Sequence, residues 1–136
     1  MLSRKTRYAI MALTALARKY GEGPVPMPSI TKEKSIPLRF LEGILLQLRK
    51  KGIVSSTRGV DGGYFLVKEP SEINVAEVVE EIEGSIRFVS CIDICGEDIG
   101  CEFGWDMETC NIRKVFSKIH DKVMDELEGT TLLDLI

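Results

Sequence analysis

The sequence has little of what enzymes and membrane proteins need. It contains one histidine and one tryptophan in 136 residues. No serine or cysteine is matched with a histidine and a base in a catalytic pattern, and no glycine-rich nucleotide loop opens a helix. No apolar run approaches the roughly 20 residues that would span a bilayer. These absences argue against an enzyme and against a membrane protein.

The N-terminal stretch "MLSRKTRYAIMALTALARKY" starts basic and then becomes apolar, as a signal peptide does. However, alanine, arginine and lysine interrupt the apolar residues at helical spacing, and no small-residue cleavage site follows. The stretch is therefore predicted to form a helix over residues 5–20, and the chain is expected in the cytoplasm. A content of 44% hydrophobic and 29% charged residues is typical of a folded protein.

A net charge of −3 conceals a strong asymmetry along the chain. Residues 1–70 carry 13 Lys and Arg against 5 Asp and Glu, whereas residues 71–136 carry 5 against 16. The two halves therefore stand at +8 and −11. So basic a half is typical of a surface that binds a polyanion such as DNA. The alternative is two solvated faces that attract each other or a second copy.

The order of elements predicts a mainly α fold with a small β-hairpin wing. After the first helix come a short helix near Pro28, the turn "SIP", and a third helix that runs to Lys51 and is capped by Gly52. This order matches a helix-turn-helix. The residues predicted to form the buried stripe of the third helix are Leu38, Leu41, Ile44, Leu45 and Leu48. The residues predicted to lie on its opposite, water-facing side are Arg39, Glu42, Gly43 and Gln47.

The stretch "STRGVDGGYFL", residues 56–66, predicts a glycine-rich hairpin directly after the third helix. A hairpin at this place is the wing of a winged helix-turn-helix. Arg58 stands at its base, where a planar cation can enter a narrow, electronegative minor groove. Gly59, Gly62 and Gly63 have no side chains that would obstruct a phosphate backbone. An ordinary surface hairpin with a solvated arginine is the alternative.

The second half predicts two more helices. "INVAEVVEEIEG" has Asn74 as its N-cap and Gly84 at its end. The longest helical pattern, residues 106–129, carries an apolar stripe on a charged helix, which predicts a dimerisation helix and a C2 homodimer. That stripe consists of Ile112, Val115, Phe116, Ile119, Val123 and Leu127. The predicted boundaries are 1–84 for the DNA-binding domain, 85–110 for a Cys-rich loop, and 111–136 for the dimerisation helix and C-terminal turn. Such a dimer would read a pseudo-palindromic double-stranded DNA operator.

All four cysteines fall within the acidic half, at Cys91, Cys95, Cys101 and Cys110. Their spacing lacks the paired two-residue gaps of zinc sites, so zinc is the less favoured metal. Thiolates on a glycine-containing loop suit an iron–sulphur cluster, 2Fe–2S or 4Fe–4S, because its iron prefers soft sulphur ligands. Free or redox-active thiols are the remaining alternative. The lone His120 is predicted to be solvated or at an interface, and Trp105 to be a packing anchor against the wing domain.

The segments "RYAIMAL", "SIPLRFLEGILLQLRKKGIVSSTRGVDGGYFLVKEPSEI", "VVEEIEG" and "TTLLDLI" resemble a family of bacterial winged-helix regulators. That family includes the iron–sulphur cluster biogenesis repressor, the nitric-oxide-sensing repressor and the cysteine-metabolism repressor. The resemblance implies a dimeric transcription factor with a cluster loop before its long C-terminal helix. It places Arg58 in the minor groove, Arg39 and Glu42 at base-reading positions, and Phe40 beside a phosphate contact. The remaining predicted DNA-binding residues are Arg4, Lys5, Arg49 and Lys50.

The cysteine pattern departs from that of the relatives. One branch of the family has a histidine ligand three residues after its third loop cysteine, and here that position is Arg113, which cannot ligate. Cys91 matches the first family cysteine and Cys110 the third, while either Cys95 or Cys101 matches the second. Ligation by cysteines alone is therefore expected. The predicted function is a cluster-controlled transcriptional repressor, with a thiol- or partner-controlled regulator of the same fold and an iron–sulphur or metal carrier as alternatives.

Overall fold

The computed structural model describes residues 2–89, 91 and 100–136, and its first three helices form a helix-turn-helix on a supporting helix. The helices are α1, Arg4–Arg18; α2, Met27–Lys34; and α3, Leu38–Lys51. Helix α1 starts at Ser3, whose hydroxyl accepts the Thr6 backbone N–H at 3.1 Å. This N-cap satisfies one of the amide groups that a helix leaves free at its start.

The third helix, α3, has the predicted buried stripe with one exception. Leu41, Ile44, Leu45 and Leu48 are fully buried, but Leu38 is 49% exposed, so its predicted burial was wrong. Leu38 is the first residue of α3 and follows its N-cap, Pro37. The helix has only begun at this point, so its first side chain extends beyond the core. Gly52 ends α3 at φ +84°, as predicted from its freedom to adopt a left-handed conformation.

Two strands follow α3 and form the wing. Strand β1, Val54–Thr57, pairs antiparallel with β2, Gly63–Leu66, with Val54 opposite Leu66. A single bridge from Val25 to Tyr64 joins the segment before α2 to this hairpin. The N–H and C=O of Val25 bond those of Tyr64 at 2.8 and 2.9 Å. The base of the wing is thereby fixed to the helix-turn-helix.

Two helices complete the fold. Helix α4, Val75–Glu83, begins at Asn74, whose side-chain oxygen accepts the Glu77 N–H at 2.8 Å, and ends at Gly84. The long helix α5, Asn111–Gly129, has Cys110 as its N-cap and begins five residues later than the predicted residue 106. The preceding residues 106–109 form turns, in which Asp106 accepts the Glu108 N–H at 3.0 Å. A side chain that bonds the backbone two residues on competes with helix formation, which explains the later start.

The core combines α1, α3, α4 and the wing, and the C-terminal turn closes it. Leu132 is fully buried in this core, and Asn74 forms a bridge with Thr131. Helix α5 buries only His120 and Met124 among its described side chains. The described helices include none that is long and apolar enough to cross a membrane.

Candidate nucleic-acid interface and cysteine pocket

The start of α3 presents a polar, accessible face. Arg39, Glu42 and Gly43 are exposed, as the sequence predicts for this side of the helix. Phe40 is 50% exposed, and its ring packs edge-on against that of Tyr8 in α1, with centroids 6.0 Å apart and planes at 65°. Tyr8 therefore holds Phe40 in place. Residue spacing carries no signal for this contact, because it joins two different helices.

The wing loop, residues 58–62, begins with Arg58. Arg58 is exposed, and no hydrogen bond or ion pair ties its guanidinium to the described part of the chain. Gly59 has φ +110°, a conformation that favours glycine. The Arg58 side chain is thus free to reach a ligand outside the protein.

Gly62 and Gly63 have reasons to be glycine that lie inside the protein. A Cβ on Gly62 would lie 2.5 Å from the carbonyl oxygen of Thr57, the last residue of β1. A Cβ on Gly63 would lie 2.3 Å from the Val25 carbonyl oxygen. Gly63 is therefore required by the bridge between the hairpin and the segment before α2. This packing accounts for both residues without a phosphate contact, the reason for which the sequence analysis selected them.

The other predicted DNA-binding cations surround α3. Arg4, Lys5, Arg49 and Lys50 are all exposed. Lys5 Nζ donates to Gln47 Oε1 at 2.6 Å, and Arg49 Nη1 donates to Ser56 Oγ at 3.1 Å. These two bonds join α3 to α1 and to β1. The positive charge of both side chains still faces solvent, where it can attract a phosphate backbone.

Three of the four cysteines line one pocket at the start of α5. Cys91, Cys101 and Cys110 are half-buried free thiols on the wall of a pocket of about 280 Å³, and Cys95 lies outside the described residues. The other residues that line the pocket are Val89, Glu102, Phe103, Trp105, Ile112 and Arg113. Trp105 is 59% exposed and tilts against Phe103 with ring centroids 5.7 Å apart. The prediction that Trp105 is a packing anchor against the wing domain was wrong, because its ring belongs to the rim of this pocket.

The three thiols share one wall but do not form a metal-ion site. Within residues 2–89, 91 and 100–136, no three side chains of the His, Cys, Asp or Glu type form a group that could hold a metal ion. Cys110 is also the N-cap of α5, where the positive end of the helix dipole favours an anionic ligand.

His120 is buried, so the solvated environment, one of the two that the sequence predicts for it, was wrong. It is 4% exposed, and its ring meets that of Phe88 edge-on at 6.4 Å and 81°. Its Nδ1 has no hydrogen-bond partner among the residues that the structure describes. His120 therefore serves as a packing residue between α5 and the segment after α4.

The face of α5 that adjoins His120 carries the predicted apolar stripe, and part of that stripe is exposed. Ile112 is 54%, Val115 55% and Ile119 38% exposed. The remaining members, Phe116, Val123 and Leu127, are half-buried. Large apolar side chains in a row along one helix face are typical of a surface that contacts another molecule.

The end of α4 carries a carboxyl group with a lowered pKa. The hydrogen bond from the Thr6 hydroxyl, followed by those from Ser3, lowers the pKa of the Glu83 carboxyl. The Ser3 N–H donates to Glu83 Oε1 at 2.6 Å. Glu83 thus places a negative charge at the N-terminus of α1, where the helix dipole stabilises it.

A helix-turn-helix with an accessible second helix and an adjoining hairpin defines a winged-helix DNA-binding protein. The chain belongs to the Rrf2 family, described as iron-dependent transcriptional regulators, whose match spans residues 2–136. It is 36% identical to the HTH-type transcriptional regulator IscR of Photorhabdus laumondii over 135 residues, 99% of this chain and 78% of the relative. These matches confirm the family predicted from the sequence, and they identify a transcriptional regulator rather than an enzyme.

Solved structures confirm the winged-helix fold. CymR of B. subtilis, described as the global cysteine regulator, is 32% identical and superposes with a TM-score of 0.83 over 99% of this chain and 95% of CymR. IscR of T. potens is 30% identical, with a TM-score of 0.77 over 99% of this chain and 85% of that IscR. Both the hairpin and the long C-terminal helix of the present chain therefore match known regulators.

Proposed function

We propose that this regulator is a cytoplasmic homodimer that represses transcription from a pseudo-palindromic operator under the control of an iron–sulphur cluster. One observation carries the proposal: the three described cysteines line a single pocket at the start of the long helix. The same chain exposes a basic winged helix at its other end. A regulator needs both a sensing site and a DNA-reading surface, and the two are distinct here.

The DNA-reading role is assigned to exposed side chains of α3 and the wing. Arg39 and Glu42 would read base edges, and Arg58 would enter the minor groove beside them. Phe40, braced by Tyr8, would support a phosphate contact. The predicted phosphate-facing residues are Arg4, Lys5, Arg49, Lys50, Gly59, Gly62 and Gly63. Because Gly62 and Gly63 are closely packed inside the protein, their contribution to DNA binding would be indirect: they shape the wing.

Arg58→Ala tests the DNA-reading surface. We expect specific affinity to fall by about 1–3 kcal/mol, since the guanidinium would lose its groove contact. Affinity is measured on a duplex selected from a random pool by the wild-type chain, at several salt concentrations. Lys122→Ala, which removes an exposed cation of α5, is the matched control and should leave affinity unchanged. Equal affinities of wild type and Arg58→Ala, or a wild type without a negative salt slope, would contradict the assignment.

The cysteine pocket would hold the cluster through Cys91, Cys101 and Cys110, with Cys95 as the fourth candidate ligand. When bound, the cluster supplies iron that responds to oxidants or nitric oxide. Val89, Phe103 and Ile112 form part of the apolar wall of the pocket. Cys110 connects the pocket directly to α5, because it is the residue on which that helix begins.

Isolation without oxygen, followed by iron and sulphide analysis and absorption spectroscopy, tests the cluster. We expect iron and acid-labile sulphide together with charge-transfer absorbance, and their loss in Cys101→Ala. Trp105 provides an independent signal: as the only tryptophan, and one that lines the pocket, it should lose fluorescence when a cluster binds. Colourless protein without iron would contradict cluster control and favour the second candidate, a regulator that senses through the three free thiols of the same pocket.

The homodimer is assigned to the exposed stripe of α5. Burying apolar side chains such as Val115 and Ile119 between two copies would contribute roughly 25 cal/mol for each Å² removed from water. A two-fold axis along this stripe would also present two wings and two α3 helices to a duplex, as a pseudo-palindrome requires.

A further inference from the structure

The last turn of α4 is held by two other helices. Gln47 Nε2, in α3, donates to the Glu81 carbonyl oxygen at 2.6 Å. Glu83 accepts the Ser3 N–H at 2.6 Å and the Thr6 hydroxyl, both at the start of α1. Carbonyl groups in the last turn of a helix have no partner within that helix. Gln47 therefore supplies a bond that α4 cannot make for itself.

Both the oxygen and the nitrogen of the Gln47 side-chain amide form hydrogen bonds. Its Oε1 accepts from Lys5 Nζ at 2.6 Å, while its Nε2 donates to the Glu81 carbonyl. Gln47 lies one helical turn after Gly43, at the edge of the accessible face of α3. One amide group thus joins α1, α3 and α4 beside the DNA-reading surface.

The same turn of α4 leads directly to the cysteine pocket. Gly84 ends the helix, and Val89, five residues later, lines the pocket together with Cys91. Between them, Phe88 packs on His120 of α5. A rearrangement at the thiols therefore acts on residues 84–91, and this segment begins at the last turn of α4, to which Gln47 is hydrogen-bonded.

We propose that Gln47 is the positioning residue through which the cysteine pocket sets the placement of α3, an inference that rests on the proposed cysteine control of DNA binding. Gln47 does not need to touch DNA for this role. A shift of the Glu81 carbonyl acts on α3 through its hydrogen bond from Gln47 Nε2. The same shift alters the hydrogen bond that Gln47 Oε1 accepts from Lys5. The path crosses no subunit boundary.

Gln47→Leu removes both bonds while keeping a side chain of similar size. Ser56→Ala is the matched control, because it removes a different bond of α3, the one from Arg49 to β1. Each full-length protein is measured in two states: as isolated without oxygen, and after iron chelation and alkylation of the thiols with iodoacetamide. The readout is the ratio of the two dissociation constants for the duplex selected by the wild type. Hydrogen exchange of α3 is followed in the same samples.

We expect a wild-type ratio in the range of about 5- to 150-fold that is typical of coupled sites, with a change in the exchange of α3 between the states. In Gln47→Leu the ratio should fall to within about twofold of one, while Ser56→Ala keeps the wild-type value. A purely structural role would lower the stability of Gln47→Leu and leave the ratio intact, which would overturn the proposal. A wild-type ratio of one would instead contradict cysteine control itself, and a wild-type α3 that exchanges identically in both states would overturn the coupling alone.

Discussion

Gly43 occupies a position in α3 where glycine costs stability. It lies in the interior of the helix, is exposed, and is not at a positive φ. A Cβ added there would meet nothing within 4 Å. Gly43→Ala should therefore stabilise the fold by the full helix-propensity difference, about 1 kcal/mol, because no clash opposes it. Nothing within the described protein explains why this residue is a glycine.

The explanation we expect is external. Gly43 neighbours Arg39 and Glu42 on the accessible face of α3, so the missing side chain lets the helix lie closer to the base edges. Gly43→Ala inserts a methyl group into that space. We expect operator affinity to fall by about fivefold, equivalent to about 1 kcal/mol, while the folded state becomes more stable. Opposite signs for stability and binding are the distinctive part of this prediction.

Urea unfolding and duplex titration at one fixed salt concentration measure the two effects. The midpoint should rise at unchanged m-value, and the melting temperature by about 4 °C. Gly129→Ala, in the last residue of α5, is the matched control, since its added Cβ also meets nothing within 4 Å. It should not change DNA affinity. A Gly43→Ala protein with higher stability and wild-type affinity would refute the close approach of α3 to DNA. A Gly43→Ala protein that is less stable than the wild type would refute the expected gain from helix propensity.

Three further substitutions test the fold and the assembly. Gly63→Ala should destabilise the protein by about 1–3 kcal/mol in urea unfolding, because its Cβ would lie 2.3 Å from the Val25 carbonyl oxygen. Hydrogen bonds lower the pKa of Glu83 in the folded state, so the stabilisation from its carboxylate is present above the unfolded pKa of 4.5 and is lost as pH falls through the folded pKa. Between neutral and acidic pH the wild type should therefore lose more stability than Glu83→Gln, and equal losses would contradict this. Ile119→Asp should convert a dimer into a monomer in sedimentation, and a persisting dimer would exclude the α5 stripe as the interface.

Local chemistry made most of the fold predictable. Gly52, Asn74 and Gly84 each end or begin a helix where the sequence indicated, because a cap depends on a few adjacent residues. The apolar stripe of α3 followed from helical periodicity alone. The hairpin followed from its glycines.

Contacts between distant segments were not predictable. Gly63 fits against Val25, and Gln47 caps α4, yet neither pairing leaves a trace in residue spacing. The sequence predicts a solvated or interface His120 because the cysteines lie at or before the start of its helix, but it has no signal for Phe88, from a different segment, which packs on the ring. The sequence predicts four candidate cysteine ligands but not a pocket. Three of them line one wall because of the position of α5 relative to the segment before it.

The position of α4 decides how a signal at the cysteines can reach DNA. Helix α4 contacts α1, α3 and α5, so it connects the helix-turn-helix to the long C-terminal helix. A change at the thiols therefore has two routes: through α4 and Gln47 within one chain, or through α5 and the two-fold axis, by moving one wing relative to the other. The second route needs a dimer and the first does not. If Ile119→Asp yields a monomer that still binds a single half-site with different affinity in the two cysteine states, the signal passes through α4.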